Sequence, residues 1–142
     1  QLYINYDVVD SLEIDDFKNK IIKHLETYDF ISSAHSLDKL VSSSKITKYQ
    51  QLIKNGYHPD RSGDIVFILE PQTIIYGEKG TTHGSGYNYD THVPLIFYGK
   101  GIKKGETKSR TNIVDIAPTI NVLLGLKPNE TYTGKALDFV IE

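Results

Sequence analysis

What most constrains the fold of this chain is how the period of its apolar residues switches along the first 70 positions. Leu2, Ile4, Tyr6 and Val8 fall on every second position, the mark of a strand covered on one face. Phe17, Ile21, Leu25 and Tyr28 then recur at steps of four, four and three, with Asp15 and Asp16 in the first turn. That spacing predicts an amphipathic helix over residues 14–28. A short strand is expected at 30–36. Ile46, Tyr49, Leu52 and Ile53 mark a second helix, closed by Gly56 in the left-handed position just past a helix end. Residues 64–70 read as a third strand. With one helix in each interval between strands, the expected fold class is α/β. Its first part is an α+β ferredoxin-like layer, a small sheet with helices on one face.

After Pro71 the texture changes. Residues 76–89 are dense in Gly, Thr, Ser and Tyr and follow neither period, so they read as a long loop, the kind of segment on which function concentrates. Residues 93–98 form an apolar run ended by Gly99 and Gly101, as in a strand buried on both faces. Asp115 suits the N-cap of a helix running through Ile116, Ile120, Leu123 and Leu124 to Gly125. Pro118 is tolerated in its first turn, where an N–H has no intrahelical partner to lose. Ser42 to Ser44 read as a short loop.

Several function classes are excluded by composition. Sixteen basic residues against eighteen acidic ones give a net charge of −2, which offers no broad attraction for a nucleic-acid polymer or an anionic membrane. The longest apolar runs, 65–69 and 93–98, are far shorter than the roughly 20 residues a membrane-spanning helix needs. Without cysteine there is no disulfide, thiol chemistry or sulfur-ligated metal. The chain has no methionine and starts at Gln1, so upstream residues are expected. Tyrosine is abundant, 10 residues against 5 Phe and no Trp.

Five histidines are candidates for chemistry. His24 lies off the apolar stripe of its helix and reads as solvated, and His35 sits in a short strand with no carboxylate arranged near it. His58 belongs to a turn after the second helix, where Asp60, Arg61 and Asp64 are expected to pair locally. His83 is different. It lies in Gly80-Thr-Thr-His-Gly-Ser-Gly-Tyr-Asn-Tyr-Asp90, where glycines let the backbone approach a metal or phosphate closely. An imidazole binds zinc through one nitrogen while the other donates to an acceptor, and Asn88, Asp90 or a backbone carbonyl is available for that. On spacing alone, metal ligation and loop anchoring both fit His83, and His92 equally suits a loop anchor.

The stretch Gly80-Thr-Thr-His-Gly-Ser-Gly-Tyr-Asn-Tyr-Asp-Thr-His-Val-Pro-Leu-Ile-Phe-Tyr-Gly99 resembles the late metal-binding segment of the alkaline phosphatase superfamily. The resemblance is strongest to phosphate-irrepressible alkaline phosphatases and the type I phosphodiesterase/nucleotide pyrophosphatase branch. Val114-Asp-Ile-Ala-Pro-Thr-Ile-Asn-Val-Leu-Leu-Gly-Leu126 and Thr133-Gly-Lys-Ala-Leu137 resemble the helix and closing segment that follow in these enzymes. Asn55-Gly-Tyr-His-Pro-Asp-Arg-Ser-Gly-Asp-Ile-Val-Phe-Ile-Leu69 resembles the segment before the metal loop. Gly86 stands where relatives often have Pro, a conservative change for a turn.

The resemblance implies a C-terminal part of a zinc-dependent phosphate-ester hydrolase, periplasmic or secreted. Residues 1–71 would form the ferredoxin-like cap, and 72–142 would belong to the catalytic domain, with the metal loop at 77–92. The family's two zinc ions are held by three Asp and three His around a Thr or Ser nucleophile. Only His83 matches one of those ligands, with Thr82, Gly84, Asn88, Asp90 and His92 as supporting or loop-shaping residues. The remaining ligands and the nucleophile are expected upstream of Gln1, so this segment alone is expected to hold zinc weakly, to hydrolyse nothing and to self-associate. Two rival readings are a sulfatase-type hydrolase, whose final helix is similar, and a non-catalytic α/β binding or assembly module.

Overall fold

The computed structural model describes all residues except 10–12, 76, 78, 80–82 and 128. It contains two compact units, Gln1–Val93 and Pro94–Glu142.

The first unit is a small α/β layer, with α1 Ile14–Leu25, β1 Ile31–Ser36, α2 Leu37–Ser42, α3 Lys48–Asn55, β2 Ile65–Leu69 and α4 Asn88–Thr91. β1 and β2 pair antiparallel, Ala34 opposite Phe67 and Ser36 opposite Ile65, with an irregularity between Ile31 and Ser33. The core gathers Leu37, Leu40 and Val66 with Val41, Ile53 and Tyr57. α2 is an element the sequence pattern did not predict. At six residues it is too short to display a period, but it buries Leu37 and Leu40 directly after β1.

The alternating segment at 2–9 is not a strand. Only Leu2 bridges to Ile65, and it approaches so closely that a side chain at Gly63 would lie 2.6 Å from the Leu2 carbonyl. Beyond Leu2 the side chain of Asp64 takes over from the ladder, accepting from the Ile4 N–H at 2.7 Å and from the Tyr6 hydroxyl. Asn5 then turns the backbone by accepting from the Asp7 N–H at 3.0 Å. Asp64 is therefore committed to the N-terminal segment and not to a local pair with Asp60 or Arg61.

α1 has acids in its first turn and Lys23 and His24 in its last, which complements the helix dipole. Its buried face, however, is rotated from the expected stripe. Phe17 is 38% exposed, whereas Lys18 is 6% exposed. A buried ammonium needs a carboxylate partner, and Lys18 has Asp38 at 3.1 Å and Asp64 at 3.9 Å. α3 starts on a reciprocal cap between Thr47 and Gln50, and it ends at Gly56 with φ −92°, right-handed and not left-handed as expected.

In the second unit, α5 Ile116–Leu123 follows a 3-10 turn at Ile113–Asp115. Gly125, at φ +67°, ends it as expected: its N–H reaches the Val122 carbonyl and the Leu126 N–H reaches Asn121. Asp115 does not cap α5 through its side chain. Its carboxylate instead accepts from the Asn112 N–H at 2.9 Å and the Lys135 N–H at 3.0 Å. Thr119, fully buried, accepts from the Leu137 N–H at 3.0 Å and donates to the Asp115 carbonyl at 2.6 Å. These contacts latch residues 133–137 onto the start of the helix, and Gly134 allows the approach because a side chain there would sit 2.1 Å from the Val114 carbonyl.

The run at 93–98 is a second departure. It forms no strand, and Val93, Ile96 and Tyr98 are 69%, 82% and 99% exposed. A strand exists only through a neighbour for its N–H and C=O groups, and among the described residues none pairs with it. Among the described residues no helix is long and apolar enough to cross a membrane.

Candidate metal-ligand loop

Residues 83–92 follow Gly80, Thr81 and Thr82, which lie outside the described residues; the expected supporting role of Thr82 therefore has no structural counterpart here. His83 is exposed, and Gly84 follows at φ +140°, a conformation that favours glycine. From Ser85 onward a dense hydrogen-bond network holds the loop. The Asp90 carboxylate accepts from the Ser85 N–H at 2.9 Å and from the Ser85 hydroxyl. The Tyr87 carbonyl accepts the Asp90 and Thr91 N–H groups, both at 3.0 Å, and the Thr91 hydroxyl at 3.1 Å, which starts α4. His92 closes α4 by donating its N–H to the Asn88 carbonyl at 2.9 Å and is exposed. Asn88 is exposed at the first position of the helix.

The Asp90 carboxyl is held below the usual carboxylate range. The Ser85 hydroxyl contributes most, followed by the Ser85 N–H; the Gly84 N–H and the charge of neighbouring His83 add to this against the cost of desolvation. Asp90 is thus an anion at neutral pH and lies within electrostatic reach of His83.

Three tyrosines tie this loop to the layer beneath. Tyr87 donates its hydroxyl to the carbonyl of Leu69, the last residue of β2, at 2.8 Å. The Tyr49 ring, on α3, meets the Tyr87 ring edge-on with centroids 5.0 Å apart, and Tyr89 stacks on Tyr87 at 5.8 Å. The Tyr89 hydroxyl accepts from the Gln72 N–H at 3.0 Å. Gly86 lies against Tyr49, so a side chain there would come within 2.8 Å of its ring. Sequence reasoning placed Tyr49 only on the apolar face of a helix and did not single out Ser85 or Tyr87. The excess of tyrosine was visible, but which rings would meet depends on how α3 and the loop are brought together.

His24, His35 and His58 have partners of their own. His24 packs edge-on against Tyr28, with ring centroids 5.4 Å apart. The His58 Nδ1 accepts from the Asp60 N–H at 3.2 Å, a turn contact of the kind expected. His35 lies beside Ser33 and Gln50, and burial lowers its pKa against the opposing charge of Glu26. Among the described residues no three His, Cys, Asp or Glu side chains converge as a metal site would require. The donor chemistry around His83 fits one imidazole ligand of zinc, and a zinc site takes three or four protein ligands.

No family model matches the chain. It is 39% identical over 134 residues to a calcium-transporting ATPase of Myroides odoratus, covering 91% of this chain and 24% of the relative. It is 35% identical over 144 residues to alkaline phosphatase PafA of Elizabethkingia meningoseptica, covering 99% of this chain and 26% of that protein. The crystal structure of wild-type PafA superposes with a TM-score of 0.89 at 33% identity, covering 100% of this chain and 28% of that one. The chain thus spans about a quarter of the length of the curated relatives it matches.

Proposed function

This chain belongs to the alkaline phosphatase superfamily, and we propose that it serves as the metal-loop quarter of a zinc-dependent, periplasmic or secreted phosphate-ester hydrolase. In this reading His83 donates one imidazole nitrogen to a zinc ion, and the other ligands and the nucleophile come from parts of the enzyme that these residues do not supply. The observation that carries the reading is the likeness to alkaline phosphatase along the whole chain, in sequence and in backbone together. The exposed His83, presented by a loop that is itself well tied down, supports the assignment.

Two zinc ions, when bound, supply an activated nucleophile on one side and a stabilised leaving oxygen on the other. The residues of this chain serve to bind and orient. In this reading exposed His83 offers its imidazole to the metal, Asp90 and Ser85 hold the backbone that follows it, and the open space at Gly84 leaves room for close approach. His92 has a backbone role as the end of α4 and contributes no ligand. The phosphate ester is the substrate class. By ligand count, the 142 residues alone hold zinc weakly and are inactive.

The test is a pair of substitutions in the protein that carries this segment together with the remaining ligands. His83→Ala is expected to lower phosphatase activity by about 100-fold or more through loss of metal-borne charge stabilisation. His92→Ala is expected to cost far less. Equal losses at the two positions would show the ligand to be misassigned. For the 142-residue chain, stoichiometric zinc by elemental analysis, or His83-dependent hydrolysis of p-nitrophenyl phosphate, would overturn the one-ligand reading.

A further inference from the structure

We propose that Tyr87 is the positioning residue of this site, fixing the His83 loop to the end of β2, with Tyr49 holding its ring in place. This deepens the function proposed above and rests on His83 being a zinc ligand. A loop that offers a single metal ligand has to be held by something other than the metal, because one imidazole cannot organise its own backbone. The contacts around Tyr87 form an unbroken path that meets this need. Its hydroxyl grips the Leu69 carbonyl at 2.8 Å, so the ring is tethered to the strand end. Its carbonyl gathers three donors from Asp90 and Thr91 and so nucleates α4. Asp90 then reaches back to both donors of Ser85, two residues after His83.

The angle of the ring is set from the other side. Tyr49 on α3 meets it edge-on at 79°, the arrangement that places a positive ring edge against a negative ring face. Gly86 is what lets Tyr49 in, since any side chain there would come within 2.8 Å of its ring. The residue after Gly86 is Tyr87 itself, so a displaced Tyr49 would be felt directly at the tether.

The test uses the zinc-loaded protein carrying this segment and measures zinc affinity by chelator competition, together with kcat and KM. Tyr87→Phe keeps the ring and removes only the grip on Leu69; Gly86→Ala displaces Tyr49 while leaving both tyrosines in the sequence. Each is expected to weaken zinc binding by about 10-fold, the scale at which groups supporting a metal ligand act, and to lower kcat more than it changes KM, while the thermal midpoint stays close to wild type. His83→Ala is the reference. If it weakens zinc binding while Tyr87→Phe and Gly86→Ala both stay within about twofold of wild type, the positioning role is overturned and the ligand assignment stands. If His83→Ala leaves zinc affinity unchanged, both fall together.

Discussion

Asp64 shows how much one side chain can decide. It accepts from the Ile4 N–H and the Tyr6 hydroxyl and faces the buried ammonium of Lys18, so three segments distant in sequence meet at one carboxylate. The hydrogen bond to Asp64 is the main cause that pushes the Tyr6 pKa up to about 12, with desolvation and the charges of Asp64 and Asp38 adding to it. The sign follows from linkage. A folded-state pKa above the unfolded value of about 10 stabilises the fold fully below pH 10, and the contribution disappears as pH rises through 12. Denaturant titrations of the wild type between pH 9 and pH 12, roughly the window set by those two values, are expected to show a loss of stability that Tyr6→Phe lacks. Parallel curves for the two proteins would mean that the contact does not hold in solution. His83 belongs to the same scale: its local sequence marks it, but the zinc-ligand role proposed for it would need further ligands from outside these residues.

Among the elements, α5 is held by contacts outside itself. It has a left-handed glycine end and an apolar stripe, yet its start is secured by residues 112 and 135–137 through Asp115 and Thr119. Asp115 is 4% exposed, and its carboxyl is held below the usual range, chiefly by the Asn112 N–H and then by the Lys135 N–H, against the cost of desolvation. Asp115→Ala leaves both donors without their acceptor and is expected to destabilise the second unit by about 2 kcal/mol. Because the folded pKa is depressed, this stability is present above about pH 4 and is lost as pH falls through the lower folded value. Asp115→Asn should flatten that acid limb. Hydrogen exchange at the Lys135 amide, which donates to the Asp115 carboxylate, is a direct probe, and protection unchanged in Asp115→Ala would show that this contact contributes nothing.

At the scale of the whole chain, the second unit carries an extensive exposed apolar surface. Ile96, Tyr98, Ile113 and Leu124 are 82%, 99%, 84% and 67% exposed, and Ile96 and Tyr98 join Leu95, Ile116, Ile120 and Leu123 in lining an open cavity of about 440 Å3. At roughly 25 cal/mol per Å2, covering a few hundred Å2 of such surface is worth several kcal/mol. The 142-residue chain is therefore expected to self-associate with rising concentration, and light scattering across the micromolar range checks it. A monomer throughout that range would show that the second unit rearranges in solution to cover this surface itself.

Sequence alone determined what is local. The amphipathic character of α1 and α3, the strand at β2, the glycine end of α5 and the prominence of His83 among five histidines depend on neighbours within about four residues, the reach of helix and turn geometry. Tertiary structure decided the rest. The alternation at 2–9 is a true period of two, but whether it becomes a strand depends on Asp64, about 60 positions away. Lys18 displaced Phe17 from the buried face of α1 because two distant carboxylates were waiting for it. Tyr87 gained its role from a carbonyl 18 residues earlier and a ring on α3. A hydrogen bond or ion pair across such separations depends on how the intervening chain folds, and periodicity and spacing carry no record of that.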